Sequence, residues 1–141
     1  MRLHHLGYAV RNIAKSSKAV ECIGLYKAAD NIFHDTLRNC DILFMKPVDT
    51  YINEPLIELI STSDTSYPSP VDGFIKSKIQ LYHTCYEVDN IHTKIEEMLE
   101  QRWHLIDDIK PAPAISDTAV VAFLYNREAG IIELLQLQPL V

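Results

Sequence analysis

HLGYAVRNI, residues 5–13, recurs as HTCYEVDNI, residues 83–91, with His5/His83, Tyr8/Tyr86, Val10/Val88, Asn12/Asn90 and Ile13/Ile91 matched at a constant offset of 78. A second echo follows downstream, where LIELI from Leu56 to Ile60 returns as IIELL from Ile131 to Leu135 at an offset of 75. The three-residue difference is a change of loop length inside one copy. An internal repeat fixes architecture before any single element is assigned. Each copy opens on a strand bearing a histidine and closes on a strand bearing a glutamate.

The elements between those landmarks read alike in both copies. Residues 3–10 and 81–88 have the β-branched, aromatic and apolar content of short strands. Asn12 and Asn90 are suited to cap the helices that follow. In the second helix Ile91, Ile95, Met98 and Leu99 form a one-sided apolar stripe that Trp103 ends, as a core residue. The first helix has Ile13, Val20 and Ile23 on one side and Gly24 near its end. Three strands then follow in each copy, near residues 31–37, 41–45 and 56–61, and near 104–109, 119–125 and 131–136. The pattern is βαβββ twice, an α+β fold of two modules forming one curved mixed sheet. Module one spans about residues 1–62 and module two about 80–141 of a single domain. The connection, residues 63–79, combines a turn-rich TSDTSYPSP with a short amphipathic stretch at 71–78.

Strand parity then selects the chemistry. Alternate side chains share a face, so His5 sits with Gly7 and Ala9, while His4 sits with Tyr8 and Val10. Only His5 has a repeat partner, His83. Glu58 lies between Leu56 and Ile60 on its face, and Glu133 between Ile131 and Leu135. A carboxylate flanked by apolar residues is costly to bury without a partner. A lone strand histidine is more often structural, and a lone strand glutamate often faces solvent. Two of each at matched places in a duplicated unit point instead to one divalent metal held by His5, Glu58, His83 and Glu133. This nitrogen and oxygen set suits Co, Mn, Ni, Zn or Fe rather than a thiolate-selecting metal. His4, His34, His92 and His104 lack such support and read as surface or structural residues. Tyr8 and Tyr86 read as packing residues on the opposite face, and Arg127 and Lys46 as cations available to an anionic substrate.

Composition bounds the remainder. The 141 residues are 48% hydrophobic and 23% charged, enough for an ordinary core without disulfides. A net charge of −6 with scattered Lys and Arg argues against nucleic-acid binding. Cys22, Cys40 and Cys85 form no metal-ligand pair and read as reduced core thiols. Neither a signal peptide nor a membrane span is expected, so a cytoplasmic protein is.

These repeats and ligand positions resemble the vicinal oxygen chelate superfamily, which includes glyoxalase I, bleomycin-resistance proteins and extradiol dioxygenases. Its methylmalonyl-CoA epimerase branch is the nearest likeness: HTCYEVDNI resembles the second-module opening, VVAFLYNREAGIIELL the closing hairpin, and SPVDGFIKSK the helix between modules. Two features differ, since PAPAISDT, residues 111–118, lacks the glycines usual before the last hairpin, and Glu58 stands where some epimerases have Gln, as in glyoxalase I. The resemblance implies a glyoxalase-like fold around the metal site, a small-molecule substrate, and an isomerase or epimerase that removes a proton next to the carbonyl of an acyl thioester such as an acyl-CoA. It implies Asp41, on the strand before Glu58, as a catalytic base, with Glu58 or Glu133 as the opposing one. Since relatives often dimerise, it also implies a homodimer. The alternatives are a glyoxalase I-like lactoylglutathione lyase, or a non-catalytic binding or resistance protein; an iron-dependent dioxygenase fits less well, because Glu58 fills a position its oxygen chemistry leaves open.

Overall fold

The structure, a computed structural model, describes residues 1–138. Nine strands and three helices run through them. The expected α+β class holds. By contacts the chain divides into two compact units, residues 5–82, and residues 83 onward together with residues 1–4.

The unit of residues 5–82 contains most of β1 (Arg2–Ala9), then α1 (Ile13–Glu21), β2 (Tyr26–Ala28), β3 (Phe33–Asp35), β4 (Cys40–Pro47), β5 (Leu56–Thr62) and α2 (Asp72–Ser77). Strand β5 pairs parallel with β1 and antiparallel with β4, whose other edge takes β2 and β3. One short strand was expected before β4, near residues 31–37; two are present. Between the Ala28/Met45 and Phe33/Ile42 pairs, four residues oppose two, so a single antiparallel edge is broken by a bulge-like excess of two residues.

Alternation along these strands makes two layers. Leu43, Met45, Ile57 and Leu59 pack with Ile13 of α1 and with Tyr26, and Tyr8 joins them as expected. On the other face, Ala9, Cys40 and Ile60 are covered by Val71 together with Phe74 and Ile75 of α2. The helix α1 starts where Asn12 accepts from the Lys15 amide at 3.0 Å, satisfying one of the free N–H groups of its first turn. It ends before Ile23, which is 71% exposed rather than on the buried stripe; Gly24 turns the chain there at φ 85°.

The second unit contains β6 (Leu81–Glu87) from His83 on, α3 (Ile91–Glu100), β7 (His104–Pro111), β8 (Val120–Asn126) and β9 (Gly130–Gln136). Strand β9 pairs parallel with β6 and antiparallel with β8, which pairs with the edge strand β7. Asn90 caps α3 by accepting from the Thr93 amide at 3.1 Å. Ile91, Ile95 and Met98 bury against Ala122, Leu124, Ile132 and Leu134, each buried Ile, Leu or Met side chain stabilising by roughly 1.5–3 kcal/mol. Trp103 and Tyr86 pack at the margin of that layer. Leu99 departs from the expected stripe, at 45% exposed, because the contacting arc of α3 ends at Met98. Cys85, Val121, Phe123 and Leu135 form the opposite layer. Among the described residues, no helix is long and apolar enough to cross a membrane.

Candidate metal centre

Each unit buries one histidine and one glutamate against each other. His5 projects from β1 and Glu58 from the parallel strand β5, where Gly7 is the register partner of Glu58. Gly7 thus sets no side chain opposite Glu58, and His5 Nε2 lies 3.5 Å from Glu58 Oε2. His5 is 0% and Glu58 5% exposed. In the second unit His83 stands on β6 and Glu133 on the parallel strand β9, with Cys85 opposite Glu133. His83 Nε2 lies 2.8 Å from Glu133 Oε2, and the two are 2% and 4% exposed. His5, the histidine that the repeat selected over His4, stands against Glu58, and in each unit the histidine strand proves to lie parallel to the glutamate strand.

A third member of each group was not expected. Phe44 is the β4 register partner of Glu58, and Phe123 is the β8 register partner of Glu133. His5 meets Phe44 edge to face, with centroids 5.5 Å apart at 78°, and His83 meets Phe123 at 5.4 Å and 86°. These are favoured quadrupolar arrangements for aromatic rings. The aromatic wall fixes the ring plane, while the neighbouring carboxylate fixes which way Nε2 points. The signal was present in the sequence: Phe44 and Phe123 are 79 residues apart, close to the offsets of the histidines and glutamates.

Asp41 falls elsewhere. It pairs with Ser61 on β5, three residues from Phe44, so odd parity places it on the α1 face, opposite to Glu58. There its Oδ1 lies 2.6 Å from His34 Nδ1 at the strand edge. The carboxylate expected beside Glu58 stands instead on the opposite strand face, partly buried and paired with His34. Lys46 is exposed beside a groove it shares with Asp30, Asp49 and Glu54, and Arg127, in the β8–β9 turn, lies 3.7 Å from Glu128. Of the three cysteines, Cys40 and Cys85 are buried as expected, but Cys22 is exposed, because it follows the last turn of α1. Burial pushes the Cys40 thiol up to about 11, against a lowering hydrogen bond with Ser69.

The donor chemistry fits a divalent ion. Imidazole Nε2 atoms and carboxylate oxygens, with no thiolate in either pair, match borderline divalent cations of the Mn-to-Zn series. Burial of both carboxylates at 5% exposure or less is otherwise costly. Each carboxylate is oriented by its histidine neighbour within the unit, so little rearrangement is needed to present an oxygen lone pair.

Comparison with known proteins gives a family and a fold. A family model described as the Glyoxalase/Bleomycin resistance protein/Dioxygenase superfamily matches residues 4–123. No curated protein gives a significant sequence match. Among solved structures, a hypothetical protein from Bacillus halodurans C-125 is similar at a TM-score of 0.79 and 23% identity, over 99% of this chain and 96% of that one. A methylmalonyl-CoA epimerase from Mycobacterium tuberculosis gives 0.78 at 14% identity, covering 97% of this chain and 88% of that one. A Streptomyces coelicolor methylmalonyl-CoA epimerase solved with 2-nitronate-propionyl-CoA gives 0.77 at 11% identity, over 96% and 94%. At these identities the likeness is one of fold.

Proposed function

Because the chain belongs to the Glyoxalase/Bleomycin resistance protein/Dioxygenase superfamily, we propose that it is a divalent-metal-dependent epimerase or isomerase that removes and returns a proton next to the carbonyl of an acyl thioester. In this reading His5, Glu58, His83 and Glu133 together hold one ion. The observation that carries the proposal is the repeated pair: a fully buried histidine against a buried glutamate, twice, at positions related by the internal repeat. The similarity in fold to methylmalonyl-CoA epimerases supports the substrate class.

An ion held by these four residues supplies Lewis acidity to the substrate's carbonyl oxygens, lowering the acidity barrier at the adjacent carbon. The remaining work belongs to the chain. Glu58 or Glu133 takes the α-proton onto a carboxylate oxygen; the C–H bond breaks and its electron pair passes to the carbonyl oxygen. A proton delivered to the opposite face of the carbon by the other glutamate, which stands as the carboxylic acid while the first is the carboxylate, completes an epimerisation and leaves the two with exchanged protonation states, so two carboxyl groups are required. Phe44 and Phe123 hold the rings of the two histidines. The apolar layer of Ile60 and Leu135 on the same strand faces excludes water from the reacting carbon. Asp41 has no part in this scheme.

The test is incorporation of solvent deuterium at the α-carbon of methylmalonyl-CoA and related thioesters, with Co, Mn, Ni or Zn supplied. Incorporation with at least one thioester is expected. None with any of them, accompanied by turnover of a glutathione hemithioacetal, replaces the epimerase reading with that of a lactoylglutathione lyase.

A further inference from the structure

We infer that the groove at the carboxyl end of β1, between Arg11 and Lys78, binds the phosphate-ended pantetheine arm of the thioester; this rests on the acyl-thioester reading above and names where the non-reacting part of that substrate lies. The groove encloses about 400 Å³ within residues 5–82, inside the usual size range for small-molecule sites. Its floor is apolar, from Ala9, Phe74 and Ile75, and its rim carries Arg11, Lys78 and Gln80.

Three observations converge on that ligand. The first is reach. Ala9 lies four residues beyond His5 on the same strand face, about 13 Å along an extended strand. A substrate whose carbonyl sits beside His5 and Glu58 therefore needs an extended chain before it meets the two cations.

The second is charge. Arg11 and Lys78 both line this groove with no ion pair among the described residues, on a chain of net charge −6. The groove that Lys46 shares, beyond Leu56 at the other end of this face, sets two lysines against Asp30, Asp49 and Glu54, which repel a phosphate.

The third is rigidity. The Ala9 amide donates to the Gln80 carbonyl at 2.8 Å, and the Ile79 amide donates to the Phe74 carbonyl at 3.0 Å. Asp72, at the start of α2, accepts from the Thr62 hydroxyl at 2.6 Å and the Ser69 amide at 2.8 Å. The wall is thus set before a ligand arrives, which reduces the ordering cost of binding. An arm of amides on an aliphatic backbone, ending in phosphate, suits an apolar floor, the Gln80 amide and two cations at the rim.

The experiment measures binding by calorimetry, without turnover, for desulfo-pantetheine, desulfo-4′-phosphopantetheine and desulfo-coenzyme A. Wild-type protein is expected to bind the phosphorylated arm roughly tenfold or more tighter than the unphosphorylated one. That gap should largely vanish in Arg11→Gln/Lys78→Gln and largely persist in Arg11→Lys, with thermal midpoints unchanged for both. A further gain with desulfo-coenzyme A assigns the arm to the coenzyme, and no gain assigns it to a carrier protein; either keeps the groove. No preference for the phosphorylated arm in wild type, or a preference that survives the double substitution, overturns the inference. Binding that depends on Arg11 and Lys78 without deuterium exchange on any thioester would instead remove the proposed reaction and leave the groove assigned.

Discussion

His5 and Phe44 meet edge to face, centroids 5.5 Å apart at 78°, and Phe44 is itself the strand partner of Glu58. The ring and the carboxylate beside it are thereby positioned from one side by a single aromatic residue, and Phe123 repeats the relationship for His83 and Glu133. Phe44→Leu keeps the apolar volume but loses the flat wall. It is expected to weaken binding of Mn or Zn by about tenfold, or 1.4 kcal/mol, with a stability loss of about 1 kcal/mol. Titration calorimetry and urea unfolding measure the two separately; unchanged metal affinity would show that the ring only fills space.

The two asparagine caps offer a test of the duplication at the level of local structure. Asn12 and Asn90 each accept from an amide three residues on, at φ of −138° and −137°. Asn12→Ala and Asn90→Ala should each cost about 1 kcal/mol, with Gly costing less than Ala. Denaturant midpoints check this.

Thiol reactivity should separate the three cysteines. Cys22 is exposed, whereas Cys40 and Cys85 are buried, and the Cys40 thiol is pushed up to about 11. At pH 8 only about one Cys40 in a thousand is thiolate, even before access is considered. One fast-reacting thiol per native chain is expected with an aromatic disulfide reagent, and the other two only on unfolding. Mass mapping should place the first adduct on Cys22.

Acid should loosen the α2 wall of the groove through Asp72. The Thr62 hydroxyl, and next the Ser69 amide, hold its carboxyl below the ordinary value of 3.8. A carboxyl depressed in the folded state adds stability above its unfolded value, and that stability is lost as pH falls through the folded one. Thermal midpoints should therefore fall below about pH 4 more steeply in wild type than in Asp72→Asn, and the variant should already be less stable at pH 7.

Much of this was legible in the chain because duplication supplies its own alignment. His5 was separable from His4 by the match to His83 alone, and both glutamates and both caps follow from the same comparison. What escaped depends on geometry that spacing does not carry. The three-residue β2 is too short for an alternating pattern, and the two-residue excess that breaks it from β3 is visible only against β4. Asp41 stands on the strand where the family resemblance implied a base, but strand register puts it on the other face. Leu99 obeys helical periodicity and still faces solvent, since the width of a buried arc is set by what packs on it. Phe44 and Phe123 were passed over because an aromatic residue in a strand is ordinary until its partner ring is known.

The most direct measurement is the stoichiometry and ligand dependence of divalent-metal binding, by titration of the metal-free protein with Mn or Zn. One ion per chain is expected, with affinity falling by about a hundredfold or more for each of His5→Ala, Glu58→Ala, His83→Ala and Glu133→Ala taken singly. Two independent ions per chain, or one ion whose affinity survives loss of either histidine, would contradict a single centre built from both copies of the repeat.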